Sequence, residues 1–273
     1  MRDLQAYWET LHEESRRGTL PLLQVVCTPG VHERVNRLAH REHARLLGRL
    51  WSQVADLHGQ RVLDVGCGVG RWLEALRAAG AEMVGVDWSL AALMGVRERL
   101  GVPVLRMSAS ALGFADQTFD GINCVTVLQH NPPEDQELAL REIFRVLKPG
   151  GWFCLLESTV SATRAPHMFA HSQQEWLAMA RATGFEVERV TSTCYGALLS
   201  AYVQLRHWIG QRLLDTAATP PPATAPPRPS GLVRLNAVIL LTLAVVCYAL
   251  SRLLHWVPGL SPMACAILLR RPH

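Results

Sequence analysis

Apolar positions along this chain change their period at about residue 60. Up to about His58 they recur at helical spacing, with Val35, Leu38, Leu46, Leu47, Leu50, Trp51 and Val54 inside ERVNRLAHREHARLLGRLWSQVADL. That i, i+3, i+4 rhythm predicts amphipathic helix. From Arg61 short apolar runs alternate with amphipathic segments. RVLDVG, AEMVGVDW, VPVLRMSA, FDGINCVTVL, WFCLLEST and FEVERVTSTCY read as strands, while GRWLEALRAAG, SLAALMGVRERLG, PEDQELALREIFRVLKPGG and SQQEWLAMARATG read as helices. Gly80 and Gly101 close two of these helices, Ser89 and Ser172 cap two, and Pro149-Gly150-Gly151 reads as a helix stop.

Alternation at this pace predicts right-handed βαβ units and a mostly parallel sheet with helices on both faces. Ligands in such sheets lie at the carboxyl ends of the strands, beside the point where the strand order reverses. After Tyr195 the pattern breaks. ALLSAYVQLRHWIGQRLL reads as an amphipathic helix and TAATPPPATAPPRPSG as a proline-rich connection. The run from Leu235 to Ser251 carries no charge, and MACAILLRRP reads as one more strand.

Composition narrows the classes. The net charge is +4, from 27 Lys and Arg against 23 Asp and Glu. The excess is spread out, with no basic run interleaved with aromatics, so nucleic acid is not an expected partner. The seven cysteines are scattered, with no Cys-x-x-Cys pair and no His/Cys metal spacing. The polar start MRDLQAYWETLHEESRR does not read as a signal peptide. The expectation is reduced core thiols, no metal and a cytoplasmic protein.

The chemistry concentrates at strand ends. Gly66, Gly68 and Gly70 alternate with Cys67 and Val69 just after the first strand. Glycine admits positive φ and lets a ligand approach the backbone, and the next helix aims its N–H groups at that loop. Tight turns use glycine too. Asp87, at the end of the second strand, strengthens the ligand reading, because a carboxylate there can take two ribose hydroxyls. Asp64 precedes the first glycine and is placed to bind an ammonium or to order the loop. The spacing G-x-G-x-G differs from the dinucleotide G-x-G-x-x-G.

VLDVGCGVGRW, MVGVDWS, ALGFADQTFDGINCVTVLQH and ALREIFRVLKPGGWFCLLE together resemble class I S-adenosylmethionine-dependent methyltransferases, in the small-molecule branch called methyltransferase type 11. The resemblance runs from about Arg61 to Glu188. It implies an α/β, Rossmann-like, doubly wound sheet of seven strands whose last strand is antiparallel, lying between the two strands before it. On that pattern residues 1–58 form a helical lid, 59–195 the cofactor-binding core, 196–260 a helical, proline-rich and apolar insertion, and 261–273 the final strand. The implied cofactor is S-adenosyl-L-methionine. Asp64, Gly66, Cys67, Gly68 and Gly70 would surround its methionine end, Asp87 its ribose, and Trp88 its adenine face. Cys124 and Val125 would lie near the sulfonium, with Gln129 and His130 in the loop facing the acceptor. One departure stands out. Ser108-Ala109 replaces the family's Asp-Ala, so a neutral hydroxyl meets the adenine amino group and makes a weaker bond than a carboxylate.

Methyl transfer relies mainly on alignment, with a base where the nucleophile holds a proton. His130 is the first candidate base, or a group that only lines its loop. Glu157, ending the fifth strand, is a candidate acceptor contact or a structural hydrogen-bond partner. His167 and His171 fall in a loop expected over the pocket. Tyr7 and Trp8 are candidates for an aromatic lid over a sulfonium, or for plain anchoring of a helix, and Trp72 reads as core. Residues 235–251 reach the ~17-residue short limit of a membrane helix. If the final strand returns to the sheet, the run cannot cross in a single pass, so a buried helix covering the pocket or a homodimer contact is expected first, a membrane-surface helix second and a true span last. The resulting expectation is a methyltransferase acting on O or N of a small, apolar or secondary-metabolite acceptor. The competing one is a non-catalytic binding subunit with the same fold.

Overall fold

The computed structural model describes residues 2–26, 33–54, 56–159, 168–193 and 264–273, together with Thr242 and Val246. Three helices lead the chain: α1 (Arg2–Arg16), α2 (Leu22–Val26) and α3 (Glu33–Trp51). The alternating part continues as β1 (Arg61–Val65), α4 (Arg71–Ala78), β2 (Glu82–Asp87), α5 (Leu90–Leu100), β3 (Val104–Arg106) and β4 (Phe119–Val125). After a single 3₁₀ turn at Leu128–His130 come α6 (Pro133–Val146), β5 (Leu147–Ser158), α7 (Gln173–Thr183), β6 (Glu186–Thr193) and β7 (Ala264–Arg270). The seven strands form one sheet in the order β3-β2-β1-β4-β5-β7-β6. Pairings from β3 to β5 are parallel, and β7 runs antiparallel between β5 and β6, with Trp152 opposite Arg270 and Thr193 opposite Ala264.

Side-chain alternation on the strands sorts the interior into two layers. Val62, Trp152, Cys154, Leu156 and Leu268 face α3, α4 and α5, where Leu46, Leu50, Trp72, Leu76 and Val96 pack. Leu63, Val65, Phe153, Leu155 and Leu269 face α6 and α7, against Ala139, Ile143, Trp176 and Ala180. β5 and β7 are covered on both faces, which is why they read as unbroken apolar runs. Trp72 is buried as expected. Cys67, Cys124, Cys154 and Cys265 are free buried thiols. Among the described residues no helix is long and apolar enough to cross a membrane. The insertion assigned to 196–260, including nearly all of 235–251, lies outside the described residues, as does His167.

Local signals account for the helix ends. Ser89 Oγ accepts from Ala92 N and starts α5, and Gly101 ends it with φ 63°. Ser172 and Glu175 form a reciprocal capping box on α7. Two expectations change. The helix predicted to run on to Trp51 and Val54 stops at Trp51. Pro149-Gly150-Gly151 is not a helix stop: α6 ends at Val146, and those residues belong to β5. The reason lies at the far end of the chain. Gly150 N donates to Arg271 O at 2.8 Å and Arg271 N to Gly151 O at 3.1 Å. The Arg271 guanidinium also donates to the carbonyls of Phe144, Arg145 and Leu147. The residues beyond β7 thereby draw the glycine pair into the sheet.

Gly121 in β4 lies under the Trp152 indole, and a methyl group there would overlap the ring. Trp152 cannot swing aside freely, because its Nε1 donates to Gln60 Oε1 at 2.7 Å. Gly121→Ala is expected to destabilise the fold by about 1–3 kcal/mol, the usual cost of overpacking, seen as a lower urea midpoint. An unchanged midpoint would show that this contact is not tight.

Candidate active site

The strand order reverses between β1 and β4, and Asp64, Gly66, Asp87, Val125 and Glu157 lie at or just beyond the carboxyl ends of β1, β2, β4 and β5, with Ser108 and Ala109 just after β3. The glycine loop leaves β1 with Gly66, Gly68 and Gly70 all at positive φ, 67°, 48° and 80°. Cys67 N donates to Val86 O at 2.9 Å and Gly70 N to Cys67 O at 2.8 Å, so the loop folds back on the end of β2. At Gly66 a Cβ would collide with the Val127 side chain. At Gly68 the nearest atom to a Cβ would be His12 Nε2, 3.7 Å away, so the backbone is bare toward the crevice there.

Asp87 locks this arrangement. Its Oδ2 accepts from Gly68 N at 2.8 Å and its Oδ1 from Ser89 N at 2.9 Å. Each oxygen keeps acceptor capacity beyond these bonds. Asp64 is fully enclosed. Its Oδ1 accepts from Asn123 Nδ2 at 2.7 Å, while Asp64 Oδ2 and Asn123 Oδ1 are buried without a partner. Burial pushes the Asp64 carboxyl up to about 7, against the Asn123 hydrogen bond and the Arg71 charge. Burial likewise raises the Cys67 and Cys124 thiols, so neither is a nucleophile.

β4 ends in a strained turn. Thr126 adopts φ 57°, a region a β-branched residue rarely enters. Glu157, fully buried at the end of β5, organises the residues just beyond Thr126. Its Oε1 accepts from Val127 N at 3.1 Å and Leu128 N at 2.9 Å, and its Oε2 from Gln129 N at 3.3 Å. Burial pushes this carboxyl up to about 8, although the three N–H donors pull it down. Both oxygens therefore serve the turn. The Gln129 amide is engaged as well, with Oε1 accepting from Ser158 N at 2.6 Å and Nε2 lying 3.2 Å from His130 Nε2.

The N-terminal helix crosses this crevice. Trp8 meets His130 edge-on, with ring centroids 4.9 Å apart, and stacks on His12 at 6.0 Å, while Tyr7 packs edge-on against Trp8 at 5.2 Å. Glu9 Oε1 accepts from Ala91 N at 3.0 Å and pins α1 to the start of α5. Trp88 is half-buried beside Asp87, and its carbonyl accepts from Arg106 Nε at 2.9 Å. Ser108 Oγ lies 2.9 Å from Ser110 Oγ, with Ala109 between them partly buried. His171 Nε2 lies 2.7 Å from Gln136 Oε1, and the ring stands on Trp176. Gln136 Nε2 in turn donates to the carbonyls of Leu128, Asn131 and Phe169, each at 2.9 Å. His171 thus braces the turn from outside. No group of three or more His, Cys, Asp or Glu suited to a metal occurs among the described residues.

Sequence reasoning missed His12, Glu9, Asn123 and Val127, as well as Ser158 and Gln136. His12 is 6% exposed with Nδ1 buried and unpartnered, and burial lowers its pKa against the pull of Asp87 and Glu9. Its signal was available, since His12 lies four residues after Trp8 on one helix face. The others act through contacts that no local pattern shows.

The buried carboxyls set a pH dependence. Asp64 and Glu157 stay protonated in the fold at pH values where the unfolded chain has lost those protons. Between the ordinary carboxylate range and about 7 and 8 respectively, stability therefore falls as pH rises. His12, His40 and His43 are shifted down from 6.5, so they act in the opposite sense only below that value. Of the two, Glu157 carries the higher value, so its ionisation contributes most between pH 7 and pH 8. The urea midpoint is expected to drop across that interval, and Glu157→Gln is expected to flatten the drop; a midpoint already flat in the parent protein would exclude the raised carboxyl.

Comparison with known proteins agrees with this geometry. The profile of a family described as a methyltransferase domain matches residues 62–151. A ubiquinone biosynthesis O-methyltransferase of Thiobacillus denitrificans is 32% identical over 54% of this chain and 74% of its own length. The enzyme of the same description from Alkalilimnicola ehrlichii is 34% identical over 45% of this chain, and the chain spans about half of that relative, 51%. Among solved structures, the [4+2]-cyclase SpnF superposes with a TM-score of 0.52 at 21% identity, over 84% of this chain and 80% of that one, a likeness of fold. The bare glycine loop, the carboxylate closing β2 and the antiparallel β7 thus converge with sequence kinship, and the chain belongs to the class I S-adenosylmethionine-dependent methyltransferases.

Proposed function

We propose that this protein transfers a methyl group from S-adenosyl-L-methionine to an oxygen or nitrogen of a small, apolar acceptor. The observation that carries the reading is the junction of Gly68 and Asp87, where an open backbone and a carboxylate with remaining acceptor capacity face one crevice. The residues present fit the cofactor. Asp64 Oδ2 is buried without a partner, and an amino-acid ammonium placed against it would draw the carboxyl into its ionised, accepting form. Asp87 suits two ribose hydroxyls. Gly66, Cys67, Gly68 and Gly70 leave backbone rather than side chains against the ligand, Trp88 offers an adenine face, and Ser108 and Ala109 offer a hydroxyl and a backbone edge to the base. When bound, the cofactor supplies a methyl carbon activated by its positively charged sulfur.

The chain's own contribution is alignment and exclusion of water. Cys124 and Val125 end β4 beside the crevice, each buried in a different one of the two core layers. Tyr7, Trp8 and His12 close the crevice from above through α1, and aromatic faces suit a positive sulfur. Gln129, His130 and His171 line and brace the acceptor side, and His167 falls in the same loop of the sequence. An oxygen acceptor is favoured by the two relatives, each an O-methyltransferase of ubiquinone biosynthesis. The apolar run at 235–251 supports an apolar acceptor and contact with a membrane surface or a second copy of the chain.

Isothermal titration with S-adenosylmethionine tests the site. Removing a hydrogen bond to a charged group costs about 1.5–3 kcal/mol, so Asp87→Ala is expected to weaken binding by about 10–150-fold in protein that still melts cooperatively. Equal affinity in both proteins would overturn the assignment. Formation of S-adenosylhomocysteine on mixing with a metabolite extract separates turnover from binding alone.

A further inference from the structure

Two adjacent residues in the 3₁₀ turn beyond β4 carry information about a proton. A backbone N–H only donates, so the Gln129 atom 2.6 Å from Ser158 N is the carbonyl oxygen Oε1. That contact fixes the orientation of the amide and turns its NH2 group toward His130. An amide NH2 also only donates. The His130 Nε2 atom, 3.2 Å away, is therefore the acceptor, and a ring nitrogen that accepts carries no proton. In the neutral ring the proton then sits on Nδ1.

The amide has little freedom to do otherwise. Gln129 is 6% exposed. Its backbone N–H donates to Glu157 Oε2 at 3.3 Å and its carbonyl accepts from Phe169 N at 2.6 Å. The His130 ring is backed edge-on by Trp8. We propose that Gln129 is a positioning residue that holds the neutral His130 imidazole in its Nδ1–H form and keeps Nε2 engaged. His171 shows the opposite arrangement. Gln136 uses its NH2 group on three carbonyls, so its Oε1 accepts and His171 Nε2 bears the proton.

The consequence for catalysis rests on the methyl-transfer reading, whereas the position of the proton does not. With Nδ1 protonated and Nε2 taken by the amide, neutral His130 has no ring nitrogen open to receive a proton. It is then a fixed polar wall of the acceptor site, and it becomes a general base only when the Gln129 amide turns away.

Two-bond proton–nitrogen correlation spectra of the ¹⁵N-labelled full chain test the proposal, with His130 identified by the signals lost in His130→Asn. At a pH where the ring is neutral, a proton-bearing Nδ1 and an unprotonated Nε2 are expected for His130, with His171 as the internal reference for the reverse. Gln129→Met removes the donor, and the ring proton is expected to redistribute onto Nε2. A proton found on Nε2 in the parent protein overturns the proposal, and so does an unchanged His130 pattern in Gln129→Met. Should that variant fail to fold, the parent spectrum decides alone. Loss of S-adenosylmethionine binding in the parent would count against the functional reading and leave the tautomer result standing.

Discussion

A single carboxyl group removed from water holds the turn that leaves β4. Glu157 stands at the end of β5 with three consecutive backbone N–H groups converging on it. Those donors belong to the turn leaving β4, which begins with a threonine in the left-handed region. Such a conformation costs on the order of 1–3 kcal/mol and persists only where the surroundings over-determine it. The carboxyl group supplies that over-determination, together with the Thr126 N–H bond to Leu156 O at 2.7 Å. Once the turn is set, Val127 presses on Gly66, Gln129 reaches Ser158 and His130 meets Trp8. The glycine loop, the turn carrying Gln129 and His130, and α1 thus share one support.

Three acidic residues divide the work by environment. Asp64 and Glu157 are enclosed, and each resists ionisation because charge is expensive away from water. Asp64 holds its position through Asn123, and Glu157 through the turn. Asp87 sits at the rim, 8% exposed, with one N–H on each oxygen. A rim carboxylate can exchange water for ligand hydroxyls, whereas an enclosed one is suited to orientation or to a single buried donor. Chemical type is the same in all three, and depth in the sheet separates their roles.

Much of the architecture was legible because its causes are local. Short apolar runs marked the strands, and Ser89, Ser172 and Gly101 punctuated helices that formed where the caps allowed. The glycine loop and Asp87 were legible because backbone conformation and strand-end position constrain residue type. Pro149-Gly150-Gly151 misled, since residues beyond β7, more than a hundred positions later, decide its conformation. Glu157 was found by position, but its partners Val127, Leu128 and Gln129 appear only when β4 and β5 are laid side by side. The adjacency of Gln129 and His130 was visible in the sequence. Its meaning depends on Ser158, at the end of the neighbouring strand, and no periodicity reports that contact.

The antiparallel return of β7 has an evolutionary corollary. The strand enters the sheet beside β5 and carries β6 on its other edge, so the chain joining Thr193 to Ala264 begins and ends on the same hydrogen-bonded pair. Closing such a connection costs entropy that grows only logarithmically, about 0.6 kcal/mol for each doubling of its length. The scaffold can therefore accept long or short passages between those two residues with little penalty to the sheet. Insertions and deletions can accumulate there while the pairings from β1 to β5 stay untouched.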